Sequence, residues 1–299
     1  GGRVVDLVVG IKSHALGFPA RDSLRRTWLD HDWPENACAW FLIGRPRSDD
    51  AGVLGALAFE SGLFGDLLLG DDLPGASDGY LDLVAKTKAF MKRMTAGHDA
   101  ASSPSSTTIP TTPANTTSTF PSSRGAKLSG RLAESSVDVE SGPAPQGWRW
   151  LLMLDDDVYL RPRALVEALI GSAPSQRFYA GQVWASAQGH GIRPMRLPKH
   201  QNYLSEAEYP METLPPFAIG PHYLVSSDCA RFIGENSAVL KGVGTLEDVS
   251  VALWLLALQK KTTRTNGFRT RDVGRCIRCT SRTSPTRALR AASRATKPY

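Results

Sequence analysis

The sequence predicts an α/β fold with a mostly parallel sheet. Two observations carry this. Short runs of consecutive apolar residues, the pattern of strands buried on both faces, alternate with stretches of helical period. An acidic triplet, Asp155-Asp156-Asp157, also stands at the end of one such run, and open α/β sheets gather ligands outside the carboxyl ends of their strands.

The elements follow in order. Val4 to Ile11 is a buried strand, and Pro19 to Leu29 a helix with proline at its start and Leu24 and Trp28 four apart. Ala37 to Ile43 is a second strand, closed by Gly44. Ser77 is placed to cap a helix in which Tyr80, Leu83, Val84, Thr87, Phe90, Met91 and Met94 share one face. Trp150 to Leu154 is a short strand, Arg163 to Ile170 a helix, and Phe178 to Trp184 extended. Ala218 to Ser226 is extended as well, and Glu247 to Leu258 is helical.

Between the two halves lies a segment of different character. Residues 101–124 hold seven Ser, seven Thr and four Pro, too little apolar surface to offset the entropy of ordering. The composition is that of an O-glycosylated linker, and Asn115-Thr116-Thr117 is an N-glycosylation sequon. The expected division is therefore 1–95 as a first half of one catalytic domain and 96–147 as a disordered insertion. Residues 148–259 form the second half and 260–299 a basic, irregular tail.

Charge separates the tail from the rest. The 299 residues carry a formal net charge of +6, but 260–299 alone hold 12 basic residues and one acid, which leaves the first 259 residues at −5. The excess therefore does not mark a nucleic-acid-binding body. The tail has only Phe268 and Tyr299 as aromatics for base stacking. Cys276 and Cys279 have CxxC spacing without a second pair, and four cysteines are too few for a disulfide scaffold. No window reaches the roughly 18 uninterrupted apolar residues that span a bilayer. The chain begins Gly1-Gly2 without methionine and is expected to be a piece of a longer one, any membrane anchor lying N-terminal to it.

Three clusters are candidates for chemistry. The triplet Asp155–Asp157 reads either as a solvated acidic turn or as carboxylates that need a cation, since clustered acids at a strand end repel one another. Oxygen donors of this kind suit Mg²⁺ or Mn²⁺ bridging to a diphosphate. Glu247-Asp248 opens a helix, where acids complement the macrodipole, and alternatively supplies a general base. Arg21, Arg25 and Arg26 form either a solvated helix face or a phosphate-binding fork.

In their order along the chain these segments resemble the β-1,3-glycosyltransferases of family 31. The matching stretches are Arg21 to Trp28, Phe41 to Gly44, Glu60 with Phe64 to Leu68, Tyr80 to Thr87, Leu154 to Val158, Tyr209-Pro210 with Pro215-Pro216, Gly220 to Ser226, and Leu246 to Val249. The resemblance implies a GT-A type fold and inverting transfer of a hexose or N-acetylhexosamine from a UDP-sugar to a glycan or glycoprotein hydroxyl, forming a β-1,3 linkage. It also implies a place on the lumenal side of the Golgi membrane. Carried over, Asp155 to Asp157 match the DxD-type motif, with Asp157 and Asp155 as Mn²⁺ ligands and Asp155 and Asp156 toward the nucleotide. Asp248 matches the base, and Arg21, Arg26 and Lys86 fall on positions expected to line the nucleotide pocket.

The sequence departs from the family at three places. Asp82 replaces an asparagine, a glycine-rich segment reads Gly220-Pro221-His222-Tyr223, and no histidine follows Asp248, where the family tends to place a metal ligand. The alternative expectation is thus a relative that binds nucleotide-sugar or glycan without turnover.

Overall fold

The computed structural model describes residues 5–31, 33–47, 50–96, 144–145, 147–184 and 191–266. Nearly all of the expected insertion, the tail beyond 266, and Asn115, Cys276 and Cys279 lie outside the described residues. The strands are β1 (Leu7–Lys12), β2 (Ala37–Gly44), β3 (Leu67–Leu69), β4 (Trp150–Asp155), β5 (Tyr179–Trp184) and β6 (Phe217–Ser226). The helices are α1 (Phe18–Arg25), α2 (Trp28–His31), α3 (Ala51–Phe64), α4 (Leu83–Ala96), α5 (Pro162–Ser172), α6 (Ser227–Glu235) and α7 (Glu247–Asn266).

The strands form one sheet in the order β3-β2-β1-β4-β6-β5. β1 pairs in parallel with β2 and with β4, and β2 in parallel with β3, whereas β6 runs antiparallel between β4 and β5. The α/β, mostly parallel fold expected from the sequence is the one observed. Strands from before and after the insertion are adjacent, so both halves build the same sheet.

Each face of the sheet carries its own core. Val8, Leu42, Leu151, Met153 and Val225 pack with Phe90, Met91 and Met94 of α4 and with residues of α6 and α7. Leu7, Val9, Ile11, Leu152 and Leu154 point the other way, onto Leu24, Trp28 and Leu165 to Leu169. The alternation follows from the strand period of two, and because both faces are covered, every residue of β1 is buried. α4 crosses β1 very closely. A Cβ on Gly10 would sit 2.5 Å from a carbon of the Phe90 ring, which is itself fully buried. Gly10→Ala is expected to cost about 1–3 kcal/mol, read as a lower urea midpoint at unchanged m-value.

Several elements differ from expectation. The first helix breaks after Arg25 because the Thr27 hydroxyl donates back to the carbonyls of Ser23 and Leu24, competing with the helical ladder. Ser77 is not an N-cap. Its hydroxyl binds the Asp82 carboxylate, and Gly79, at φ +126°, turns the chain so that α4 starts only at Leu83. α3, β3 and α6 have no counterpart among the expected elements. α3 is apolar on every face except for Glu60, so it lacks the periodicity that announces a helix, although Asp50 caps it by accepting from Gly52 N at 2.8 Å. α7 continues to Asn266, past the expected end at Leu258.

Candidate active site

Strand register builds the site. Lys12 ends β1 and Asp155 ends β4, and the two are paired across the parallel ladder. One residue further, the Ser13 hydroxyl donates to Asp156 Oδ2 at 2.7 Å. The third contribution comes from β6. Gly181 pairs with Tyr223 and Val183 with Ala218, so Gln182 alone opposes the four residues 219–222. This bulge swings Gly220 toward the N-terminus of α7. Gly220 N donates to Asp248 Oδ2 at 3.0 Å, and Gly220 O accepts from Lys12 Nζ at 2.6 Å.

Lys12 is the hub. Its ammonium lies 2.8 Å from Asp155 Oδ1 and 3.8 Å from Glu247 Oε2. Burial by itself would lower its pKa, but Glu247, Asp155 and Asp248 outweigh that and raise it. Glu247 is buried and accepts from the Tyr223 hydroxyl and, at 2.7 Å, from Thr87 Oγ1. Burial raises its pKa in spite of Lys12 and the two hydroxyls. Asp248 is half-buried, and its Oδ1 accepts from Val249 N at 2.8 Å. Burial raises its pKa too, against the backbone N–H donors.

Asp157 has neither the ammonium that meets Asp155 nor the hydroxyl that meets Asp156. Partial desolvation, followed by the charges of Asp155 and Asp156, raises its pKa. No lysine or arginine stands within ion-pair distance of it among the described residues. A carboxylate beside two others, without a cationic partner, is chemically suited to a hard divalent ion that takes one or two protein oxygens and completes its shell with phosphate and water. Among the described residues no three His, Cys, Asp or Glu side chains converge as a preformed metal cage. His222 is buried with Nε2 unpartnered, and burial lowers its pKa although Asp155 acts the other way.

Beside these groups lies a cavity of about 1290 Å³, lined by Lys12, Ser13, Lys86, Asp155, Asp156, Asp157 and Asp248, among others. Of the residues singled out from the sequence, the structure brings together Asp155, Asp156, Asp157, Asp248 and Lys86. It does not bring Arg21 or Arg26 to the cavity, where both were expected. Arg26, which follows the last residue of α1, is exposed and paired with Asp22 four positions earlier.

Arg21 is fully buried under the loop that follows β1. It donates to Ser13 Oγ, to the carbonyl oxygens of His14 and Ala15, and to both carboxylate oxygens of Glu60. Lys86 reaches the same loop from α4, donating to Ser13 O at 2.9 Å and pairing with Asp78 at 3.2 Å. Burial lowers the Lys86 pKa. The loop 13–15 is thus clamped from below by a guanidinium and from the side by an ammonium, and through Ser13 it holds Asp156.

Lys12, Ser13 and Tyr80 are site residues that sequence reasoning missed. A usable signal was present for the first two, a Lys-Ser pair directly ending a fully apolar strand. Tyr80 lines the cavity and feels burial, Asp248 and Asp155, all of which raise its pKa.

Comparison with known proteins adds an independent line. A family profile described as galactosyltransferase matches residues 19–102 and 145–265, the two stretches on either side of the Ser/Thr/Pro-rich segment. The chain is 31% identical over 279 residues to UDP-GlcNAc:betaGal beta-1,3-N-acetylglucosaminyltransferase 7 of Mus musculus, covering 91% of this chain and 56% of that protein. It is 24% identical over 253 residues to hydroxyproline O-galactosyltransferase GALT2 of Arabidopsis thaliana, covering 83% of this chain and 28% of that protein. A third relative is UDP-GalNAc:beta-1,3-N-acetylgalactosaminyltransferase 1 of Sus scrofa, 24% identical over 256 residues, with 85% and 60% covered. The chain therefore spans between about a quarter and three fifths of these relatives' lengths.

Proposed function

Because the chain belongs to the galactosyltransferase family of glycosyltransferase family 31 and has its GT-A type α/β sheet, we propose that it transfers a hexose or N-acetylhexosamine from a UDP-sugar to a glycan or glycoprotein hydroxyl. The linkage formed is β-1,3 and the anomeric centre inverts. The observation that carries this reading is the placement of Asp248, with its raised pKa, in the same cavity as Asp155–Asp157.

In the reaction the acceptor oxygen attacks the anomeric carbon as its proton passes to Asp248, and the bond from that carbon to the diphosphate oxygen breaks, releasing UDP. Gly220 N–H holds Oδ2 of the base, and Val249 N–H holds Oδ1. Both fix the carboxylate before substrate arrives, which is the positional part of the rate gain. Asp157, with Asp155, would hold Mn²⁺ or a similar ion, and Asp156, tied to Ser13, faces the nucleotide. When bound, such an ion supplies Lewis-acid neutralisation of the departing diphosphate. Lys86 contributes by holding the Ser13 loop in place. Residues 1–95 and 148–259 act as two halves of this one catalytic unit, whose last helix runs on to Asn266.

The reaction would serve protein glycosylation on the lumenal side of the Golgi membrane, as the resemblance to family 31 implies. Among the described residues no helix is long and apolar enough to cross a membrane. A second reading, binding without turnover, is favoured by Lys12, whose ammonium already compensates Asp155 without an ion.

Incubating the protein with UDP-galactose, UDP-N-acetylglucosamine or UDP-N-acetylgalactosamine and a glycoside, with Mn²⁺ or EDTA, distinguishes the two. Release of UDP that requires the ion supports transfer. UDP binding without release under every donor supports the second reading. The acid limb of the rate profile tests the base: only the deprotonated carboxylate accepts a proton, so the rate falls as pH drops through the pKa of Asp248. Burial moves that limb above the ordinary aspartate value of about 3.9.

A further inference from the structure

The cavity is larger than one small ligand needs, about 1290 Å³ against roughly 300–1,000 Å³ for a typical ligand pocket. Its lining also divides by chemistry along the sheet. The charged groups stand at the ends of β1 and β4. Toward the sheet edge, where β5 ends, apolar Trp184, Ile192, Met195 and Phe217 line it beside the polar Arg193, His200 and Asn202. β6 lies between the two regions and, through Gly220, holds Asp248.

Trp184 is the last residue of β5 and pairs across the ladder with Phe217, the first of β6. Their ring centroids are 6.2 Å apart with planes at 58°. Phe217 is 6% exposed and backs the indole, while Trp184 is 50% exposed and lines the cavity. Leaving so much aromatic surface in water forgoes a large burial gain. Strands lie about 4.8 Å apart, so the edge strand is on the order of 10 Å from the acidic cluster, the width of one or two sugar rings.

We propose that the Trp184–Phe217 corner is the acceptor subsite, taking the terminal hexopyranoside of the acceptor glycan. This rests on the transferase reading above. One face of a hexopyranoside presents C–H bonds of partial positive charge, which complement the negative π-face of the indole. Seated there, the sugar directs its ring hydroxyls along β6 toward Asp248. The donor diphosphate keeps the charged region at β1 and β4.

The test uses the full chain, with methyl β-galactopyranoside and methyl N-acetyl-β-glucosaminide as probes. Saturation-transfer NMR measures glycoside binding in the presence of UDP, and a separate titration measures UDP itself. Trp184→Ala is expected to weaken glycoside binding about tenfold, and Trp184→Phe to keep most of it. The half-exposed position of Trp184 lets both variants fold, checked by far-UV circular dichroism. Glycoside binding unchanged in Trp184→Ala overturns the subsite, as does a loss confined to UDP, which would put the uracil ring on the indole. A wild-type protein that binds UDP but neither glycoside also overturns it and leaves the transferase reading standing. Glycoside binding that depends on Trp184 in a protein without UDP affinity leaves a glycoside site there but removes the transferase reading and overturns the acceptor role with it.

Discussion

Asp248→Asn is expected to lower the transfer rate by about 10²- to 10⁴-fold, the range lost when a general base is removed. That corresponds to roughly 3–5 kcal/mol of transition-state stabilisation. The substitution is close to isosteric, and the amide oxygen can still accept from Gly220 N, now 3.0 Å from Oδ2. UDP affinity should therefore stay near the wild-type value while kcat falls. An unchanged kcat in Asp248→Asn would move the base elsewhere in the cavity. Glu247 is the poorer candidate, because the Tyr223 and Thr87 hydroxyls and Lys12 already surround its carboxylate.

Glu60→Ala is expected to cost about 3–5 kcal/mol of stability, the usual loss when one partner of a buried ion pair is removed. Glu60 is 3% exposed and lies between Arg21 and Arg25, with N–O separations of 2.6 Å and 2.8 Å. Arg25 is further held by Asp66 and rests 3.9 Å from the centroid of Phe64. Among the described residues Arg21 has no comparable second anion. Its guanidinium is wholly buried, so removing Glu60 strands a charge beneath the loop 13–15. A midpoint drop of roughly 6–20 °C in thermal unfolding follows for a chain of this size.

The pH dependence has a definite sign. Burial would raise the Glu60 pKa, but the hydrogen bonds and charges of Arg21 and Arg25 lower it on balance. A depressed folded-state pKa contributes stability that is present above the unfolded value of about 4.3 and is lost as pH falls through the folded one. Wild-type stability should therefore decline in that acid window, and Glu60→Gln should flatten the decline. The same substitution is expected to loosen Ser13, through Arg21, and hence Asp156.

The clearest misreading of the sequence concerns Arg21. Its place in a helix rich in arginine suggested a donor fork aimed at phosphate. Nothing in the local pattern announces that Glu60, 39 positions away, turns that fork inward. α3, which carries Glu60, escaped notice for a related reason, since a helix apolar all round has no face for periodicity to reveal. Ser77, a helix cap by local pattern, instead donates its hydroxyl to the Asp82 carboxylate.

By itself the sequence determined the alternation of strands and helices, the acidic triplet at a strand end, the family and the separation of a −5 body from a +11 tail. These properties are written in local period and composition, so a single chain suffices to read them. Only the tertiary structure decided that Lys12 stands beside Asp155 and that the bulge at 219–222 fastens Gly220 to Asp248. It also decided that Arg21 faces the protein interior rather than the cavity. Each of these depends on which strands become neighbours and in what register, and such contacts between distant residues leave no mark on the spacing along the chain.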